Sequence, residues 1–157
     1  MVAIKPLTPV LTFVGILSVV FGYIRAYTGP FFITSLHDAG YELEQIALIE
    51  ENLSVFWTVS ALASIIAIIA VSYRYGAGYK LTKLSGFILI ILAYLTEMLG
   101  NLVGAAICQI QTPKYPVFRF MLPEIVFSYG YIYLVLIGIL AANYVRELRN
   151  QKASTLT

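Results

Sequence analysis

Apolar residues crowd four long stretches of the chain, approximately Leu7–Tyr27, Leu53–Tyr73, Leu84–Cys108 and Glu124–Val145, and charges and prolines gather in the three segments between them. Each stretch reaches the roughly 17–25 residues that a helix needs to cross about 30 Å of hydrocarbon. Unpaired peptide groups are costly in lipid, so such stretches are expected as α-helices, whose backbone hydrogen bonds are internal. The pattern predicts an all-α fold: an integral membrane bundle of four transmembrane helices forming a single domain over residues 1–157.

The segments between the spans refine this picture. From Thr28 to Asn52 the chain opens on the breaker Gly29-Pro30, and Leu43, Ile46, Ala47 and Leu53 then fall at helical spacing. A short external helix is expected there, lying at the surface or extending the second span. Asp38, Glu42, Glu44, Glu50 and Glu51 make this segment acidic without a compensating Lys or Arg. Such a helix suits a solvated face, or a docking surface for a basic partner, better than anionic lipid headgroups. Asn52-Leu53-Ser54 fits the glycosylation acceptor pattern but abuts the second span and is read as chance. Between Gln111 and Pro123, three prolines interleave with aromatics. Extended backbone is expected at the membrane interface there, anchored by Tyr115, Phe118 and Phe120, with Pro123 at the start of the fourth helix.

Composition names the solvent. Hydrophobic residues make up 60% of the chain and charged ones 11%, and the mean hydropathy is +0.86, which no ordinary water-facing surface matches. The net charge of +2 has no basic run behind it, so nucleic acid is set aside as a partner. Cys108 and His37 each stand alone, which leaves no disulfide, Cys-based zinc site or His cluster within one chain, and no cofactor is expected. The first apolar stretch, Pro6 to Ile24, is longer than a signal-peptide core and is read as a retained helix.

Orientation follows from the cations, because Lys and Arg flanking a span stay on the cytoplasmic side. Lys5, Arg74, Lys80, Lys83, Arg146, Arg149 and Lys152 fall on one side and Arg25, Lys114 and Arg119 on the other. The expectation is a multi-pass protein of the cell membrane with both termini cytoplasmic.

One charge interrupts a span near its middle. Glu97 costs on the order of 3 kcal/mol at such depth, against about −3 to −7 kcal/mol from its eleven strongly apolar neighbours, so the helix still inserts. Ala93, Glu97, Gly100, Asn101, Gly104 and Cys108 recur at helical spacing as a small, polar stripe that must face protein. Gly100 and Gly104 form a G-x-x-x-G spacing, which permits close helix packing. Small residues recur elsewhere too: Ser18 and Gly22, then Ser60, Ala63, Ser64 and Ala67, then Gly138 and Ala142. Glu97 admits three readings. It could be a neutral carboxyl hydrogen-bonded to a neighbouring helix, a relay or ligand contact in a larger assembly, or an acid–base group of a lipid-modifying enzyme. The last would need a second titratable group within reach, and no other span has a central one. Arg25, at the outer end of the first span, is expected to snorkel toward water.

The sequence carries no phosphate loop, nucleophile elbow, metal-binding His pair or paired catalytic carboxylates. The expectation is a non-catalytic accessory or assembly subunit of a larger membrane complex, respiratory or otherwise energy-transducing. Its partners would be the lipid bilayer and other membrane subunits, docked in part through Glu42, Glu44, Glu50 and Glu51. The alternative is a protein or enzyme that holds a sterol, isoprenoid or quinone, or another bound lipid, in a pocket at Glu97 and Asn101.

Overall fold

The computed structural model describes residues 7–29, 31–79, 81–126 and 130–154, and these are helical with no strand among them. The helices are α1 (Thr8–Tyr27), α2 (Phe32–Asp38), α3 (Leu43–Gly76), α4 (Lys83–Gln111), α5 (Val117–Val126) and α6 (Gly130–Ser154). Four stretches are long and apolar enough to cross a membrane: α1, α3, α4 and Val117–Ala153, which carries α5 and α6. Ser128 and Tyr129, within the fourth apolar stretch, lie outside the described residues, as do Lys5, Pro6, Pro30 and Lys80.

Local chemistry explains where the helices break. After α2, the Gly40 amide donates to the His37 carbonyl and the Tyr41 amide to the Leu36 carbonyl, while Gly40 takes a φ of +86°. This is a Schellman ending, which needs a left-handed residue and therefore favours glycine. Two residues on, the Gln45 side chain accepts the Glu42 amide at 3.0 Å, half of a capping box, and α3 starts. Leu43 to Tyr75 contains neither Gly nor Pro, so α3 runs unbroken for 34 residues, roughly 51 Å. The acidic stretch around Glu44, Glu50 and Glu51 is thus the first part of α3 and not a separate helix. The short helix that does lie between α1 and α3 is α2, which begins eleven residues before α3. Before α4, Thr82 and Ser85 cap one another's amides, at 2.7 and 3.2 Å.

The proline-rich segment departs from the expected extended backbone. Only residues 112–116 are non-helical, and Pro123 lies inside α5 instead of opening a helix. Gln109 is the reason the chain can turn so early. Its side-chain oxygen accepts the Phe118 amide at 3.0 Å and its amide donates to the Tyr115 carbonyl at 2.8 Å, pinning the entry to α5.

The chain divides into two compact units: Met1–Gly15, Ile65–Glu97 and Tyr129–Thr157 form the first, and Ile16–Ser64 with Met98–Ser128 the second. In the first unit, α3 meets α6 where side chains are smallest. A Cβ on Gly138 would stand 2.5 Å from Ser72 Cβ, and one on Gly76 2.7 Å from Ile139 Cγ1. The turn after α3 is tied down by Asn143, which donates to the Tyr79 carbonyl, by Arg146, which donates to the Ala77 carbonyl, and by the Tyr79 hydroxyl, which donates to the Ser85 carbonyl. In the second unit, Ala26 of α1, Ala105 and Cys108 of α4, and Val117, Met121 and Ile125 of α5 form a buried cluster.

Candidate functional site

Glu97 is 2% exposed on α4, in the first unit. Its Oε2 accepts the backbone amide of Tyr131, in the first described turn of α6, at 3.0 Å. Of the three readings the sequence leaves open, a carboxyl hydrogen-bonded to a neighbouring helix is the one this contact resembles, with the backbone amide as donor and the carboxyl oxygen as acceptor. The contact lets a buried carboxyl tie α4 to α6.

Ala93 lies with Glu97 in the first unit, and Gly100, Asn101, Gly104 and Cys108 belong to the second. Asn101 is 7% exposed and Gly100 is buried. A Cβ on Gly22 of α1 would lie 2.7 Å from both Cα and O of Asn101, so α1 rests on the Asn101 backbone. A Cβ on Gly104 would fall on the Val19 carbonyl oxygen and the Tyr23 amide nitrogen. The two helices therefore approach at a spacing that only glycine permits. Of the small residues singled out in α3, Ala63 is exposed, Ser60 and Ala67 are half-buried, and Ser64 is buried with its hydroxyl donating to the Ser60 carbonyl of the same helix at 2.8 Å.

Glu42, Glu44, Glu50 and Glu51 are all exposed, the last three within the first turns of α3 and Glu42 just ahead of them. His37 is exposed, Cys108 is a buried free thiol, and no group of three or more potential metal ligands occurs among the described residues.

Two polar contacts of the second unit were not apparent in the sequence. Arg25 is within 3.6 Å of Glu124, so it has a protein partner, although both side chains are more than half exposed and such a pair contributes little. Asp38, at the end of α2, accepts from both Lys114 Nζ and the Tyr115 hydroxyl. These bonds, the Lys114 one foremost, and then the Lys114 charge hold the Asp38 pKa below its usual value, while the hydrogen bond to Asp38 raises that of Lys114. Aromatic packing supports the same join: Phe31 stacks on Tyr115 at 5.4 Å and meets Phe120 edge-on at 5.2 Å. Tyr115 and Phe120, read from sequence as interfacial anchors, thus pack against protein on at least one side. Trp57 packs against Phe21 of α1 at 5.9 Å.

Fold and site together define a multi-pass, all-helical protein with a structurally engaged carboxyl in its interior. Compared with known proteins, the chain significantly matches no protein-family model, no curated protein and no solved structure.

Proposed function

We propose that the chain is a non-catalytic accessory or assembly subunit of a larger membrane protein complex, and that the exposed face of α3 is the side on which a partner subunit packs. It would lie in the cell membrane with both termini cytoplasmic, as the cation distribution favours.

The observation that carries this reading is the exposure of α3. Only 11% of its apolar window is buried, against 28% for α1 and for α4. Glu44, Leu48, Glu51, Val55, Val59 and Leu62 recur every three or four residues along one side, opposite Ile46 and Ser64, and all are exposed. Lipid alone would satisfy Val55, Val59 and Leu62. It would not suit the same face farther along. At roughly 51 Å, α3 exceeds the hydrocarbon thickness by about 20 Å, so with Tyr73 at one interface the other end projects past the opposite one. There Leu48, 60% exposed, lies between Glu44 and Glu51. A neighbouring helix with an apolar span and a basic flank would cover Leu48 and neutralise both carboxylates. The engagement of Glu97 by a backbone amide agrees with a structural part, and no observation of its own favours the hydrophobic-ligand reading.

Extraction in a mild detergent followed by size determination tests the proposal. Stoichiometric co-purification of a second membrane subunit, lost on Leu62→Trp or on Glu44→Lys with Glu51→Lys, is the expected outcome. A protein that runs alone and monodisperse would contradict it.

A further inference from the structure

The turn between α3 and α4 and the last turns of α6 come together in the first unit. Arg146 and Asn143 of α6 donate to the carbonyls of Ala77 and Tyr79, at 2.8 and 3.0 Å, and Tyr79 donates to Ser85 at the start of α4. Among the described residues of this end, Arg74, Lys83, Arg146, Arg149 and Lys152 face a single acid, Glu147. Arg146 is committed to the protein, through Ala77 and the Asn143 side chain. Arg74, Lys83 and Arg149 are exposed.

We propose that this end is a binding face for anionic phospholipid headgroups, with Arg74, Lys83 and Arg149 as its phosphate partners. The proposal rests on the membrane reading of the four apolar helices and is independent of the subunit reading.

The surface changes in the same order along each of the three helices. On α3 it passes from exposed Ile66 to exposed Tyr73 to Arg74, and on α6 from Leu140 to Tyr144 to Arg149. On α4, read toward its start, it passes from Phe87 and Leu84 to Lys83. Apolar side chain, then tyrosine or a second apolar residue, then cation is the order of chemistry met along a phospholipid from tail to phosphate, and tyrosine favours the level between. A soluble acidic partner would account for the cations and leave the apolar and tyrosine levels unexplained. Helix stability does not account for Lys83 either. It is the first residue of α4, where the helix dipole disfavours a cation. A phosphate outside the protein gives that charge a partner and meets the dipole with the right sign.

The full chain, purified, stripped of lipid and then offered equal amounts of phosphatidylcholine and phosphatidylglycerol in detergent, is read by native mass spectrometry. Each cation near an anionic headgroup favours it by roughly fivefold, so phosphatidylglycerol is expected to be retained at about fivefold excess or more. Equal retention overturns the proposal. The combined variant Arg74→Gln, Lys83→Gln and Arg149→Gln is expected to lose the preference, while Arg74→Lys, Lys83→Arg and Arg149→Lys keeps it; a glutamine variant that retains the full preference also overturns it. Should the glutamine variant not fold, salt decides on the native chain, since the preference must fall as ionic strength rises and a salt-insensitive preference contradicts the proposal. Because the isolated chain is measured, failure here leaves the subunit reading standing, and loss of a co-purifying partner leaves this one standing.

Discussion

Within the second unit, α4 and α3 have similarly greasy sequences and opposite fates. In α4, glycine and asparagine backbone lies directly against α1, and a single added Cβ at Gly104 would collide with main-chain atoms. In α3, Leu48, Val55, Val59 and Leu62 are each more than half exposed. The difference teaches that hydropathy alone assigns a helix to the membrane, whereas the size and polarity of the residues along one stripe decide whether another helix of the same chain covers it. Lipid removes the hydrophobic drive between helices, so close approach must supply the attraction. Where α4 offers glycine, that approach is made; where α3 offers branched and acidic side chains, it is not.

The largest effect should come from filling the α1–α4 seam. Gly104→Leu is expected to prevent folding, and Gly104→Ala to cost about 1–3 kcal/mol, read by thermal or SDS-induced unfolding of the purified chain. A stable Gly104→Leu protein would break the comparison at its stronger end. Next comes Glu97→Leu, which leaves the Tyr131 amide without this acceptor and should cost about 1–3 kcal/mol in the same assay. Glu97→Gln keeps an oxygen at the site and should cost less; the reverse order would mean that the carboxyl does something other than accept a backbone amide.

Smaller again is the contribution of the Asp38–Lys114–Tyr115 join. The folded pKa of Asp38 is lowered, so its stabilisation is present above the ordinary carboxylate value of 3.8 and is lost as pH falls through the lowered value. Lys114 is raised, so its share is present below the ordinary 10.5 and is lost as pH rises through the raised value. Stability should therefore be flat in Asp38→Asn relative to the native chain between those limits, with a small constant offset, and the two curves should converge at the acid end. An offset that varies near neutral pH would contradict this assignment. The smallest effect is expected from Leu62→Ala on α3, within about 0.5 kcal/mol for the isolated chain. A larger loss would show that α3 is covered from within.

What the sequence discloses follows the same division. The apolar windows place α1 almost to the residue and place α3 and α4 within longer helices, because length and hydropathy are properties of one segment. The stripe through Glu97, Asn101 and Gly104 was legible for a related reason: helical spacing puts those residues on one side whatever they touch. Their partners were not. Glu97 meets an amide 34 positions away and Arg25 a carboxylate 99 positions away, and both depend on how far each helix is rotated. The extension of α3 through the acidic stretch was open between two readings, and the deciding features were small: Gly40 ending α2, Gln45 capping Glu42, and no Gly or Pro until Gly76. Pro123 misled because its fit to a first helical turn was weighed without Gln109, whose side chain starts α5 two turns earlier.

The most direct test of the claim that α3 is left bare for another subunit is photo-crosslinking in native membranes. A photoreactive residue is placed in turn at Leu48, Val55 and Leu62 of α3, and at Phe87 and Ile107 on exposed positions of α4. The account predicts one discrete polypeptide adduct from all three α3 positions and none from the α4 positions. Adducts to lipid alone from α3, or the same protein adduct from both helices, would contradict it.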